Sequence, residues 1–361
     1  MSFVRPLLLL LSLFALSACA PRPVFVTMPE AATIGSQRQV LVATSRARDD
    51  DGLYRIRRST DLGFLSYDVS IPPDHTTGEI EFPNKRPDPQ KHFLLSKQTD
   101  LSSGAGFKAA LNRALAKLPP RDRETIIFVH GFNNAMTEGV YRTAQLSHDF
   151  GLDGVAIHYS WPSAQNPLGY GYDRDSMLFA RDGFEKLLKL VAQSGSRRTL
   201  VVAHSMGALL TMETLRQAPK EARNLGGVFL ISPDIDVEVF RSQAQRIGKL
   251  PQPFVIFTSQ KDRALRLSAR LTGQSDRLGT LADPMEVAGL EVTLLDVTSF
   301  SGNGLNHFVT GDSPALIKLI SQLRDVEATF RGDRAGRAGL IPGTVLTVQN
   351  ATQIILQPIR R

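Results

Sequence analysis

The sequence predicts an α/β fold, a mostly parallel sheet covered by helices on both faces. Three observations carry that prediction. From Phe107 onward, short aliphatic runs alternate with segments whose apolar residues recur at helical spacing. Several runs, such as Thr125-Ile-Ile-Phe-Val129, are apolar throughout, as strands buried on both faces must be. One stretch, Thr199-Leu-Val-Val-Ala-His-Ser-Met-Gly-Ala-Leu-Leu210, passes from strand to helix within a few residues, with Ser205 at the corner.

Composition sets the outer limits. A chain of 361 residues, 42% hydrophobic and 21% charged, is globular material rather than disordered. The net charge of +7 is spread thinly, apart from Arg331-Gly-Asp-Arg-Ala-Gly-Arg337. No basic stripe interleaves with aromatics, which argues against nucleic acid as a partner, while a mild positive charge suits an anionic lipid surface.

Residues 1–18 read as a signal peptide. Arg5 precedes an apolar run from Leu7 to Leu16 that is well short of the ~20 residues a bilayer span needs. It ends in Leu16-Ser-Ala-Cys19, which resembles the lipobox of bacterial lipoproteins, whose Cys becomes the lipid-bearing N-terminus. Ordinary cleavage around Ala18-Cys19-Ala20, giving a soluble secreted protein, is the competing reading. Cys19 is the single cysteine, so it forms no intramolecular disulfide, and it stands where lipidation requires it. The expectation is therefore a lipid anchor on Cys19 in the bacterial cell envelope, facing the periplasm. Ala20 rather than Asp after the Cys resembles the sorting pattern of outer-membrane lipoproteins, which implies that membrane.

Residues 19–36, rich in Pro, read as a tether, and 37–325 as one domain. Gln39–Thr44 is the first strand. Arg46 to Leu62 reads as charged and turn-like; its Asp49-Asp-Asp-Gly52 lacks the alternating spacing of a calcium loop. Phe64–Ile71 and Gly78–Phe82 read as further strands, each ended by Pro. A helix from Phe107 stops at Pro119-Pro120. Strands at Thr125–Val129, Gly154–Tyr159, Gly227–Ile231, Phe254–Phe257 and Leu290–Leu295 alternate with helices near Ala135–His148, around Phe184–Val191, after Val237, and over Arg263–Leu271. A last helix opens at Asp312-Ser-Pro314. Thr272 to Met285 reads as either a lid or a connector. In the extension 326–361, Val345–Val348 and Gln353–Leu356 pattern as a β-hairpin around Asn350.

A serine at a strand-to-helix corner serves either as a helix N-cap or as a nucleophile, and its partners decide between the two. Ala203 and Gly207, two residues to either side, have the small volume a close strand–helix approach demands. His307, in Ser301-Gly-Asn-Gly-Leu-Asn-His307, is the one histidine downstream and lies on a Gly-rich loop past the last strand, where a general base belongs. Asp262 and Asp234 each follow a strand end and are candidates to orient it, Asp262 being preferred; Asp236 reads as a helix cap. In Phe128-Val-His-Gly-Phe-Asn133 the backbone bends after a strand, so that the N–H groups of Phe132 and Met206 would form an oxyanion hole. His130 reads as a loop brace, His204 as packing, and Trp161 as either pocket wall or core. There is no CxxC, HExxH or phosphate loop, hence no metal or cofactor is expected.

Together the Ala203-His-Ser-Met-Gly207 elbow, His130-Gly-Phe132 and the order Ser, Asp, His resemble the α/β-hydrolase superfamily over roughly 38–323. More narrowly, Ser70-Ile-Pro-Pro-Asp-His75, Ser232-Pro-Asp-Ile-Asp236 and Asp262-Arg-Ala-Leu265 resemble a bacterial family catalogued as domain of unknown function number nine hundred. The resemblance implies a serine hydrolase similar to esterases and lipases, taking a small-molecule or lipid ester, with an acyl-enzyme mechanism. A peptidase or amidase using the same residues, and a non-catalytic envelope binding protein on this fold, are the alternative expectations. Nothing in the sequence identifies a protein partner.

Overall fold

The computed structural model of the chain describes residues 22–273, 277–321, 345–348 and 351–355. Strands β1 (Ser36–Arg48), β2 (Tyr54–Ile71), β3 (Leu94–Asp100), β4 (Glu124–Val129), β5 (Val155–Ser160), β6 (Arg198–His204), β7 (Gly227–Ile231), β8 (Phe254–Thr258), β9 (Val292–Asp296), β10 (Val345–Val348) and β11 (Ala351–Ile355) form one 11-stranded sheet. Its order is β10-β11-β9-β8-β7-β6-β4-β5-β1-β2-β3. The run from β1 through β5, β4, β6, β7 and β8 to β9 is parallel throughout. The β1-β2-β3 edge is an antiparallel meander.

Helices cover both faces. On one side α1 (Gly104–Ala116), α3 (Tyr170–Ala192), α4 (Met206–Gln217) and α6 (Val237–Ile247) bury Phe107, Phe184, Leu210 and Phe240 against Ile127, Ile157, Val201 and Leu230. On the other, α2 (Met136–Asp149) lays Met136, Val140 and Tyr141 on Val40, Leu65 and Tyr67. Further along that face Ile231 and Phe257 meet Val309 of α8 (Val309–Asp312) and Leu316. Two short helices, α5 (Pro219–Arg223) and α7 (Arg263–Leu271), and a helical stretch over 314–321 add to these. None of these helices is long and apolar enough to cross a membrane.

Register places the site. Thr44 pairs with Ser160, Val129 with Tyr159 and Ala203, His204 with Ile231, Ile231 with Phe257, and Thr258 with Asp296. The carboxyl ends of the parallel strands are therefore level, and the residues just beyond them converge on one face, where open α/β sheets carry their sites.

The structure departs from the sequence reading in several places. Most of Arg46–Leu62 is strand: β1 and β2 run on as a two-stranded ribbon, and only the tip around Asp49–Gly52 turns. Arg55 and Arg57 pair with Asp49 and Asp51 along that tip, so its charge serves cross-strand pairing. Gly78–Phe82 is irregular, and the third strand of the meander is instead Leu94–Asp100. Residues 22–36 do not hang as a tether. Phe25 stacks on Tyr67 at 4.7 Å, Met28 N–H donates to Leu95 O at 2.8 Å, and Ala31 is buried in a short 3-10 turn. The final helix does open at Pro314 as expected and runs over 314–321, with Ser313 Oγ accepting from Leu316 N–H; the separate turn α8 precedes it. Within Thr272–Met285, Leu278 and Leu281 are buried and Arg277 reaches Asp234, so this part packs as a connector. β10 and β11 pair as the expected hairpin, and β11 adds to β9 in parallel; Asn350 and Leu356 lie outside the described residues.

Candidate active site

Ser205 sits between β6 and α4 with φ 53° and ψ −122°. A non-glycine residue in that left-handed region is strained and is held there by its surroundings. Two close approaches do the holding. A Cβ on Gly207 would overlap the carbonyl oxygen of His130, and one on Gly131 would lie 2.9 Å from Ser205 Cβ. The elbow and the loop after β4 thus interlock only because both positions are glycine. Ser205 N–H donates to Ile231 O at 3.0 Å, and Asp234 N–H donates to Ser205 O at 3.2 Å.

His307 reaches this corner from the loop after β9. Its Nδ1–H donates to Asp262 Oδ2 at 2.8 Å, which leaves Nε2 to accept the Ser205 hydroxyl, also at 2.8 Å. Asp262 is wholly buried, and its other oxygen, Oδ1, caps α7 by accepting from Leu265 N–H at 3.0 Å. Leu305 O accepts from Arg263 N–H at 3.0 Å, and His204 Nε2 donates to His307 O at 3.1 Å, which fixes the loop on both flanks. Asp234, the other candidate acid, points elsewhere. It accepts from Ser268 and from the Tyr170 hydroxyl, and Arg277 Nε lies 3.3 Å away without hydrogen-bond alignment. Asp236 caps α6 through Glu238 N–H and Val239 N–H.

The loop after β4 is braced from behind. His130 is wholly buried, donates from Nδ1 to Gly131 O at 2.8 Å and accepts Trp161 N–H on Nε2 at 3.1 Å. Burial first, then the Arg46 charge and His158, push its pKa well below the usual histidine value, so this imidazole is neutral. Trp161 is core, stacked on His130 at 4.7 Å. The amide of Asn133, at φ 56°, donates to Asp173 Oδ2 at 2.9 Å. Asp173 also accepts from the Ser163 hydroxyl at 2.6 Å, and burial raises its pKa. Arg46, fully buried at the end of β1, donates to Asn134 O at 2.8 Å and Ser160 Oγ at 2.9 Å; burial lowers its pKa to about 10. Neither the Phe132 nor the Met206 amide donates to a backbone oxygen among the described residues.

Sequence reasoning missed Arg46, Asp173 and Ser163. The usable signal was position: Arg46 stands three residues past Ala43, the end of the apolar part of β1, and two past Thr44, which pairs with Ser160 at the level where the other site residues emerge. Among the described residues, His75, His148 and Asp149 are the group spaced to hold a metal ion, but Asp149 already accepts from both histidines, Gln145 and Gly78 N–H. An apolar cavity of about 140 Å³ lies under α2 between Phe128, Leu146, Val202 and Ile320, and none of Ser205, Asp262 or His307 lines it.

Among solved structures the chain is similar to a CIB-like hydrolase from Thermoplasma acidophilum, with 19% identity over 58% of this chain and 89% of that one and a TM-score of 0.35. It is similar to Aspergillus fumigatus lipase B, with 14% identity, 63% and 57% coverage and a TM-score of 0.36. A monoacylglycerol lipase of Paleococcus ferrophilus matches at 12% identity, 55% and 94% coverage and a TM-score of 0.35. No curated protein matches the chain. The family model described as alpha/beta hydrolase of unknown function (DUF900) matches residues 104–324, a span that contains every parallel strand from β4 to β9, and the chain belongs to that family.

Proposed function

We propose that the chain is a serine hydrolase acting on carboxylic esters, held at the bacterial envelope by a lipid on Cys19. The observation that carries the reading is the unbroken hydrogen-bond chain from Ser205 through His307 to buried Asp262. In the reaction Ser205 Oγ attacks the ester carbonyl while its proton passes to His307 Nε2, and Asp262 stabilises the imidazolium that forms. The tetrahedral oxyanion is met by the N–H groups of Phe132 and Met206, with Met206 opening α4 so that the helix N-terminus adds its partial positive charge. Collapse breaks the ester C–O bond, and the leaving alkoxide takes the proton from Nε2. Water then repeats the sequence on the acyl-enzyme and frees the acid and Ser205.

A fluorophosphonate probe tests the nucleophile: it should label the parent and leave Ser205→Ala unlabelled, and an unlabelled, folded parent would sink the proposal. Short and long acyl esters assayed against peptide amides separate an esterase from a peptidase. The anchor reading is supported by the apolar run before Leu16-Ser-Ala-Cys19 and by Cys19 being the chain's one cysteine. It predicts that Cys19→Ser makes the protein extractable from the membrane by high salt, where the parent requires detergent.

A further inference from the structure

The face around Ser205 is fringed by apolar side chains left exposed among the described residues. Leu168, Leu267, Leu271 and Leu305 are exposed by 92%, 57%, 65% and 67%. Each is carried by a segment that frames the site. Leu305 is two residues from His307, and Leu168 two from Tyr170, which bonds Asp234 and packs on Phe132. Leu267 and Leu271 belong to α7, whose cap is Asp262. α7 lies across the strand ends, because Ser268 on its inner side bonds both Asp234 after β7 and Tyr170 at the start of α3. Its outer side therefore faces away from the molecule on the site's own face.

That outer side is basic as well as apolar. Lys261, Arg263, Arg266 and Arg270 are exposed, and none of them forms a salt bridge among the described residues. Asp262, the only carboxylate in 260–273, is buried and committed to His307. A short helix showing arginine beside leucine fits the interface of an anionic bilayer, where the leucines enter the acyl boundary and the cations meet headgroup phosphates. The N-terminal segment arrives beside the same face. Arg22 donates to Asn133 O at 3.0 Å and to Asn133 Oδ1, on the residue after Phe132, and pairs with Glu138 at 2.8 Å. Cys19 is three residues upstream, within a reach of about 10 Å.

We infer that α7, with Leu168 and Leu305, is a membrane-docking surface that seats the Ser205 site on an anionic lipid bilayer, so that its substrates are lipid esters presented by that membrane. The location of the surface stands on the fold alone; the substrate class rests on the serine-hydrolase reading.

The test uses the full chain carrying Cys19→Ser, so that an anchor cannot mask the surface, and vesicles of pure phosphatidylcholine or of an equimolar mixture with phosphatidylglycerol. The parent should sediment with the mixed vesicles, be released by salt, and ignore the neutral ones. Arg266→Glu/Arg270→Glu and Leu267→Ser/Leu271→Ser should each weaken that binding at least tenfold and cut hydrolysis of a vesicle-embedded diacylglycerol in proportion. Turnover of a soluble short-chain ester and the melting temperature should stay unchanged. If a double variant unfolds, Arg270→Gln and Leu271→Ser singly repeat the measurement. A parent that ignores the mixed vesicles, binds both kinds equally, or loses nothing in the variants overturns the inference. Ser205→Ala should bind like the parent; if it still hydrolyses ester, the nucleophile reading fails while the docking surface stands.

Discussion

At Ser205 the backbone, not the side chain, is the unusual part. A φ of 53° and ψ of −122° cost on the order of 1–3 kcal/mol, and the elbow keeps them because Gly207 lets the His130 carbonyl press against the first turn of α4. Gly207→Ala should therefore push the loop after β4 away and lower stability by roughly 2–4 kcal/mol, read as a lower denaturation midpoint. The two acids separate by role. Asp262→Asn keeps the volume but offers His307 Nδ1 no anionic acceptor, and ester turnover should fall about 10⁴-fold. Asp234→Asn disturbs Ser268, Tyr170 and Arg277, so it should lower the melting temperature and leave turnover within about tenfold of the parent, measured on one soluble ester.

Among the elements, the loop 72–82 is pinned to the end of α2 by a titrating cluster. His75 donates to Asp149 at 2.8 Å and to Glu81 at 2.9 Å. Burial alone would lower its pKa, but the two carboxylates outweigh burial and hold it above the usual value. Burial alone would raise that of Asp149, but the hydrogen bonds from His148, His75, Gln145 and Gly78 hold it well below. The His75 contribution is fully present below about pH 6.5 and is lost as pH rises through the raised folded pKa. The Asp149 contribution is present above about pH 4 and is lost as pH falls towards its depressed one. The cluster should stabilise most between about pH 4 and 6.5, and the melting-temperature gap between parent and His75→Gln should shrink as pH rises beyond that window. A gap that widens with pH would contradict the pairing. None of this is legible in sequence, since His75 and Asp149 are 74 residues apart. The parallel strands were legible, because burial on both faces leaves uninterrupted aliphatic runs such as Ile126–Val129. The β1-β2 ribbon was not, because its outer half is solvated and its charges pair across strands in a pattern that mimics a turn. Ser205 and His307 were legible from local volume and chain order, whereas Arg46 and Asp173 meet only through tertiary contacts with residues 133, 134, 160 and 163.

Taken whole, the molecule is closed at its antiparallel edge by its own N-terminal segment. Phe25 lies flat on Tyr67 and edge-on to Tyr141, and Leu95 N–H donates to Val26 O at 2.9 Å, so β3 is not left as a bare edge. Phe25→Ala should cost about 1–3 kcal/mol and lower the melting temperature by several degrees. It should also loosen residues 22–36, seen as faster amide exchange at Met28 and Leu95. The Arg22 pair with Glu138 ties that segment to the loop carrying Phe132, so edge closure and site geometry are linked through one short stretch of chain.

The stack of Trp161 on His130 makes this protein its own spectroscopic reporter. Trp161 is the single tryptophan, its indole N–H donates to His130 O at 2.8 Å, and its ring is shut off from solvent beside the loop that carries Phe132. Emission from the native state should be blue-shifted. Because burial keeps His130 uncharged, it should also hold constant between about pH 5 and 8. Any ligand or variant that displaces the loop would then be read directly, as a red shift from one chromophore.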